Sequence, residues 1–450
     1  MSEVPQQFSV LPQLPAVIPP TSRLNFLKNW WQRSDKTSAI AEARLLHRIS
    51  QSTLSLKAPV PIVANLLRVP LDDNEPPNTK SARLVNTLHL KAAPDQKAPF
   101  VLNTEENDIE SIKDKGDSKN LVICHGYGAG LGFFYKNFYA LSQAPGWQIF
   151  AIDWLGMGRS SRPKWTIVKK ANETWDQIIT DVEDHFVGSL EDWRKRVGIE
   201  KMTLMGHSLG GYFATCYALR YPARVEKLIL VSPAGIPERP PELGPPPKEE
   251  GSPQEVLDKE AAEIGVTMQA SAASAENMAL ADQSASIPQE PPSAPVRPAR
   301  RIPSWATYLW EHNITPMSIV RLSGPFGASL VNSYTSRRFA HLSTDERHDL
   351  YDYLYNITSS SGSGEYALAA ILAPGAYARR PLIKRLNGLQ MPTVFIYGEQ
   401  DWMDYKAAEK AKKEMKVPVK IIRTDGGHHM YLDNPQEFNN ALLEELNRGV

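Results

Sequence analysis

Met202-Thr203-Leu204-Met205-Gly206-His207-Ser208-Leu209-Gly210-Gly211 reads as a short apolar strand running into Gly-x-Ser-x-Gly, and Tyr212–Arg220 after it is amphipathic enough to be a helix. A strand, a sharp turn and a helix in that order lift a serine hydroxyl above the carboxyl edge of a sheet. The turn is so tight that side chains two residues before and after the serine would collide, and Gly206 and Gly210 meet that demand. The N–H of Leu209, at the start of the helix, then points to where an oxyanion would form. Five-residue patterns of common residues recur by chance. The test is whether the partners of such a serine stand elsewhere in the chain, in the right order.

The flanking sequence supplies the sheet. Leu84–Leu90 begins the strands, and Asn120–Cys124 is an apolar run closed by the glycine-rich His125-Gly126-Tyr127-Gly128. Gln148–Ile152 is the next strand, ending in Asp153-Trp-Leu-Gly-Met-Gly-Arg-Ser160. Thr174–Val197 carries Trp175, Ile178, Ile179, Val182, Phe186, Leu190, Trp193 and Val197 on one helical face. Lys227–Val231, Thr393–Tyr397 and Val419–Arg423 read as further strands, the last two separated by the helix-like Tyr405–Lys416. Strands alternating with helices predict a mostly parallel α/β sheet covered on both faces.

The alternation is absent before this core and breaks within it, between Pro237 and Gly388. Residues 1–20 are rich in Pro and Gln and read as disordered, and 21–80 as an N-terminal helical region. Within it, Ser22–Arg33 places Leu24, Leu27 and Trp31 on one face, with Arg23, Lys28 and Arg33 elsewhere; such a helix suits a membrane interface or docks on the protein's own core. Ser38–Ile49 predicts a second helix. The core runs over 81–237 and resumes over 386–450. Between them, residues 238–300 hold 11 prolines and no aromatic residue, the composition of a disordered insertion. Residues 301–385 regain aromatic content without strand alternation and read as a helical lid between the sixth and seventh strands.

A serine nucleophile needs a base to take its proton and an acid to orient that base. On this kind of sheet the chain order is serine, acid, histidine. Asp401 follows the strand Thr393–Tyr397 and His428 follows Val419–Arg423, so both loops lie at the sheet edge of Ser208. Asp404 competes with Asp401, the loser capping the helix near Tyr405, and His429 competes with His428. The loop after Cys124 should give a second oxyanion donor, the N–H of Tyr127, with His125 holding that loop. Asp153 and Arg159 read as structural. The chemistry requires no metal and no organic cofactor.

Composition removes other classes. Lys+Arg and Asp+Glu are both 50, with no dense basic block, so nothing suggests a nucleic-acid partner. Cys124 and Cys216 lie in apolar core elements and cannot form a secreted disulfide framework, which points to an intracellular protein. No apolar run approaches the ~18 residues of a membrane span. The N-terminus lacks a secretory pattern; whether Arg23–Arg33, basic and free of acids, belongs to a mitochondrial presequence stays open.

With Gly206–Gly210, His125-Gly126, Asp401 and His428 in place, the chain resembles the α/β-hydrolase superfamily. Gly206-His-Ser-Leu-Gly-Gly-Tyr-Phe, Tyr221-Pro-Ala-Arg-Val, Pro233–Pro240, Gly156-Met-Gly-Arg-Ser-Ser-Arg-Pro163, His428-His-Met-Tyr-Leu-Asp433, Gly324–Leu330 and Pro374–Pro381 are similar to one subfamily. It contains the lipid-droplet lipase coactivator, the N-acyl phosphatidylethanolamine lipase and the mitochondrial cardiolipin-specific deacylase. The similarity spans roughly 25–237 and 301–447. The resemblance implies an acyl-lipid substrate, plausibly a phospholipid or lysophospholipid, met at a membrane or lipid-droplet surface. His428-x4-Asp433 matches the pattern tied in this subfamily to lysophosphatidic acid acyltransfer, although His428 is already explained as the base. The coactivator has asparagine at the nucleophile; Ser208 here favours an enzyme over a regulator that binds a lipase. Some members match Asp404 rather than Asp401. A peptidase with a similar lid shares the triad, but not these motifs. Arg321, Arg337 and Arg338 are candidate contacts for lipid phosphate. Protein partners are not legible.

Overall fold

The computed structural model describes residues 17, 22–55, 59–72, 82–104, 109–170, 172–240, 310, 314–373 and 377–448. The expected disordered segments 1–20 and 238–300, and the first part of the expected lid, lie almost entirely outside these residues.

Eleven strands are described: β1 Ile62–Pro70, β2 Leu84–Ala92, β3 Phe100–Asn103, β4 Lys119–Cys124, β5 Trp147–Ile152, β6 Met202–His207, β7 Val225–Val231, β8 Leu372–Ala373, β9 Tyr377–Ala378, β10 Thr393–Gly398 and β11 Val419–Thr424. Nine of them form one sheet in the order β11-β10-β7-β6-β4-β5-β2-β1-β3, while β8 and β9 pair separately. From β5 to β11 every neighbour is parallel. β2 runs antiparallel to both β5 and β1. The central strands read as unbroken apolar runs because both faces are covered: all six residues of β5, β6 and β10 are buried.

The helices are α1 Arg23–Trp31, α2 Asp35–His47, α3 Tyr135–Leu141, α4 Trp175–Arg196, α5 Leu209–Arg220, α6 Pro316–Leu322, α7 Phe326–Arg338, α8 Thr344–Ser359, α9 Ala367–Ile371, α10 Tyr405–Lys412, α11 Met430–Asp433 and α12 Pro435–Asn447. α4 starts at a capping box between Thr174 and Gln177 and buries Ile178, Ile179, Val182, Phe186, Leu190 and Trp193. Its end is marked by Gly198 at φ 76°, a left-handed position where a side chain would add strain.

Two expectations need correction. The region 21–80 is not wholly helical: its second half holds β1, whose alternating burial changes phase at the adjacent buried Leu66 and Leu67 and so gives no clean period of two. Counted in chain order with β1 and the four-residue β3 at the sheet edge included, the helical segment α6–α9 enters after the seventh described strand, not after the sixth. The short β8–β9 pair follows α9, before β10. α1 docks against the core through Phe26, but Leu24 (60% exposed), Leu27 and Trp31 (79%) face outward. No helix among the described residues is long and apolar enough to cross a membrane.

Candidate active site

Ser208 sits between β6 and α5 with φ 54° and ψ −121°, a conformation that L side chains rarely adopt. Only one other described non-glycine residue has positive φ, Ser232 at 43°, at the end of β7. Both lie at the site, where strain is held by the surrounding structure. A Cβ at Gly206 would stand 2.8 Å from Gly211 Cα, and one at Gly210 would enter the carbonyl oxygen of His125. The glycine requirement therefore comes from backbone meeting backbone. Gly210→Ala is expected to prevent accumulation of soluble folded protein, read by expression and near-UV circular dichroism, because neither partner of the clash can rotate away.

The other two members arrive from the far side of the sequence. His428 Nε2 lies 3.0 Å from Ser208 Oγ, and His428 Nδ1 lies 3.0 Å from Asp401 Oδ1. Asp401 has no exposed side-chain surface; it also accepts from the N–H of Met403 at 3.1 Å and from the hydroxyl of Ser232. Asp404 instead caps α10, accepting from Lys406 N at 2.9 Å. His429 points into the packing between Phe133 and Phe339, with Nδ1 2.8 Å from the Tyr431 hydroxyl. The structure thus brings Ser208, His428 and Asp401 together and leaves Asp404 and His429 outside that line.

Leu209 N is the first amide of α5, one of those that the helix itself leaves without an acceptor. The Gly126–Tyr127 backbone passes directly against the serine: a Cβ on Gly126 would lie 2.8 Å from Ser208 Cβ. His125 is buried and holds this loop. Its Nδ1–H donates to Gly126 O at 2.7 Å, while Nε2 accepts from Trp154 N at 3.2 Å. Asp153 is equally internal, accepting from Leu131 N (2.7 Å), Arg159 N (2.8 Å) and Asn86 Nδ2 (2.9 Å), and Arg159 pairs with Glu42 at 2.8 Å.

Asp433 does not join His428. Arg338 holds it in a bidentate pair, 2.8 Å on each oxygen, and Gly427 N donates to it at 2.9 Å, so it ties down the loop that carries His428. The same pair removes Arg338 from the candidate phosphate contacts. Arg321 is removed too, bonded to the buried Glu365 at 3.0 Å; Arg337 alone of the three is exposed.

Three neighbours had no signal in the sequence. His207 Nε2–H donates to the backbone carbonyl of His428 at 2.9 Å, Ser232 supports Asp401, and Trp402, 59% exposed, lies 5.2 Å from the His428 ring. An apolar cavity of about 400 Å³ begins at Tyr127 and His429 and runs between Phe133, Met317, Val331 and Leu354 under α6–α8.

The buried histidines set an acid limit. Burial lowers His89 and His125 to about 4, and holds His207 and His429 well below their ordinary value. In the unfolded chain they titrate near 6.5. Between about pH 6.5 and 4 the unfolded state binds protons that the folded state refuses, so their contribution is complete above 6.5 and is lost as pH falls towards 4. Glu42 works in the opposite direction: burial raises it to about 7, so its contribution falls as pH rises towards 7. A variant isolates one term. His89→Gln, remote from the serine and paired with Gln148 at 2.9 Å, is expected to flatten the fall in stability between pH 6.5 and 4.5 by at most about 1.4 kcal/mol per pH unit. Denaturant titrations of both proteins across that window measure it.

The α/β-hydrolase fold family model matches residues 119–435. The chain belongs to the α/β-hydrolase family. A rice (Oryza sativa subsp. japonica) protein named "Probable 1-acylglycerol-3-phosphate O-acyltransferase" is 37% identical over 352 residues, 77% of this chain and 70% of that protein. The human "(Lyso)-N-acylphosphatidylethanolamine lipase" is 31% identical, covering 81% of this chain and 89% of its own. The rat "1-acylglycerol-3-phosphate O-acyltransferase ABHD5" is 32% identical, covering 72% and 76%. As an α/β-hydrolase, this chain has relatives named for acyl-lipid chemistry of two kinds, hydrolysis and transfer.

Proposed function

We propose that this α/β-hydrolase is a serine carboxylic-ester hydrolase acting on the acyl chains of phospholipids or lysophospholipids. One observation carries the reading: the Ser208–His428–Asp401 line, with 3.0 Å at each step, stands beside an apolar cavity of about 400 Å³. That volume lies within the range of small-molecule sites, and its lining suits an alkyl chain.

In this mechanism Ser208 Oγ attacks the ester carbonyl while its proton passes to His428 Nε2. The carbonyl oxygen takes the negative charge, held by the N–H groups of Leu209 and Tyr127. His428 returns the proton to the leaving alcohol as the ester C–O bond breaks. Water then attacks the acyl-enzyme, losing a proton to His428, and the fatty acid leaves as that proton restores Ser208. Asp401 keeps Nδ1 protonated throughout, so that Nε2 is the basic nitrogen.

Substrate entry from a lipid surface is supported by Leu24, Leu27 and Trp31 on α1, Leu322 (81% exposed) at the end of α6, and Phe326 (62%) and Tyr334 on α7. α1 and α6 both pack on α7. A peripheral position on a membrane or lipid droplet would let α6–α8 act as a lid fed from the bilayer.

The second reading, acyl transfer to a lysophospholipid, is favoured by the names of two relatives: Ser208 would be acylated by acyl-CoA with release of the CoA thiol, and the lysophospholipid hydroxyl, in place of water, would take the acyl group. Lipid mass spectrometry after incubation with mixed liposomes separates them. Cardiolipin, N-acyl phosphatidylethanolamine, phosphatidylethanolamine and lysophospholipids would be offered with and without acyl-CoA. Hydrolysis predicts free fatty acid and matching lyso-lipid without the donor; transfer predicts a newly acylated lipid that requires it. Asp433→Asn adds a discriminator. If Asp433 only secures the loop of His428, both activities fall together, by about tenfold, with a lower Tm. Loss of transfer alone would favour the second reading.

A further inference from the structure

A second cavity, about 710 Å³, lies where the end of α1 meets the start of α2, the Gly158–Arg162 loop and the end of α8. Its described lining has four guanidinium groups, Arg33, Arg68, Arg159 and Arg162, against one carboxylate, Asp35. Arg68 and Arg159 are spent on acids: Arg68 on Asp35, Arg159 on Glu42 and Asp35. Even so, the buried Nε of Arg159 has no partner among the described residues. Arg162 bonds only to backbone carbonyls, those of Gly156 (3.2 Å), Gly158 (2.7 Å), Ile357 (3.0 Å) and Ser361 (2.9 Å). Those carbonyls fix the guanidinium without neutralising it, and burial pushes its pKa down to about 10, the charges of Glu365 and Asp153 offsetting only part of that fall. Arg33 donates from Nε to Trp30 O (3.1 Å) and from Nη1 to Ser359 O (3.3 Å), and its Nη2 is engaged by neither bond.

A half-buried, pre-fixed cation with no carboxylate in hydrogen-bond contact is costly, and an anion entering the cavity would relieve that cost. The start of α2 adds its N-terminal dipole at Ser34. The rim is apolar on one side, where Trp30 and Trp31 lead to the exposed Leu27 and Leu24. Polar charge inside and alkyl-compatible surface at the mouth match an amphiphile whose head is anionic. A choline head would bring its own ammonium among the arginines, which disfavours zwitterionic lipid. The cavity also lies near the apolar one. A void of about 10 Å³ shares Gly158 and Arg162 with the first and Gly128, Ala129 and Met317 with the second.

We propose that this cavity binds the phosphate of an anionic phospholipid headgroup, with Arg33 donating hydrogen bonds and Arg162 supplying the fixed charge. The site is separate from the serine, and it concerns binding rather than turnover.

The test is flotation of the full chain with phosphatidylcholine vesicles, with and without phosphatidic acid. Phosphatidic acid is expected to raise the bound fraction, and Arg33→Gln to lower the partition coefficient on those vesicles by about tenfold, as loss of charge-assisted hydrogen bonds would. Hydrolysis of a soluble ester should stay unchanged, showing that the variant is folded. Ser361→Asp, which adds a carboxylate to the cavity, should give the same loss, whereas Arg337→Gln, an exposed cation elsewhere, should not. If Arg33→Gln binds like the parent, or if Arg337→Gln falls as far, the proposal is wrong and general surface charge is responsible. A third arm uses glycerol 3-phosphate in thermal-shift measurements. Protection of the parent but not of Arg33→Gln, with vesicle binding equal for both, would overturn the lipid source in favour of a free phosphate ester.

Discussion

Ser208→Ala is expected to lower ester hydrolysis about 10⁶-fold while changing stability by no more than about 1 kcal/mol. The rate falls because the hydroxyl 3.0 Å from His428 Nε2 is the atom that would carry the acyl group, and alanine has no replacement for it. Oxyanion donors alone still leave a residue of catalysis over water, so the variant should be very slow rather than silent. Stability hardly moves because Ser208 makes no side-chain cap bond to α5; its hydroxyl contributes little beyond the contact with His428. Ser208→Gly sharpens the point. Glycine accepts φ 54° and ψ −121° without the penalty a Cβ incurs, so this variant should be equally inactive yet more stable than the parent by about 1 kcal/mol. Turnover of a soluble chromogenic ester and denaturant midpoints test both. A Ser208→Ala protein that retains the parent rate would remove the nucleophile assignment and bring forward a regulator that binds lipid or a lipase.

The contrast between what the chain announces and what it conceals has a physical basis. β4, β6, β7 and β10 are legible because strands covered on both faces must be apolar throughout, and because glycine-rich turns follow β4 and β6. β3 is not, since four residues pairing only with β1 at a sheet edge leave no period to read. The same division holds in the site. Ser208, Asp401 and His428 are marked by their position just past strand ends, a local signal. Ser232 and His207 act through partners 169 and 221 residues away, and nothing adjacent to them in sequence encodes that. Arg321 and Arg338 looked available for phosphate for the same reason: their acids, Glu365 and Asp433, become neighbours only through the fold. The arginine-lined cavity is likewise assembled from four separate stretches.

Asp401→Asn is the second change expected to have a large effect, about 10⁴-fold on the rate, against a negligible one for Asp404→Ala. The two aspartates stand three residues apart in one loop, and the sequence favours Asp401 while leaving Asp404 as its competitor. Geometry divides them. Asp401 faces His428 Nδ1 at 3.0 Å and is itself held by Met403 N and the Ser232 hydroxyl, so its orientation is fixed before substrate arrives. An asparagine there preserves volume but can offer Nδ1 an N–H. That favours the tautomer with the proton on Nε2, where it cannot accept from Ser208. Asp404 instead accepts from Lys406 N at the start of α10. Its replacement by alanine removes a helix cap, worth roughly 0.5–2 kcal/mol of stability, and leaves His428 alone. The signatures therefore cross: one variant loses rate with little change in Tm, the other loses Tm with little change in rate. Were Asp404→Ala the slow enzyme and Asp401→Asn the fast one, the acid would have to be reassigned, and the 3.0 Å contact would be a resting arrangement abandoned during turnover.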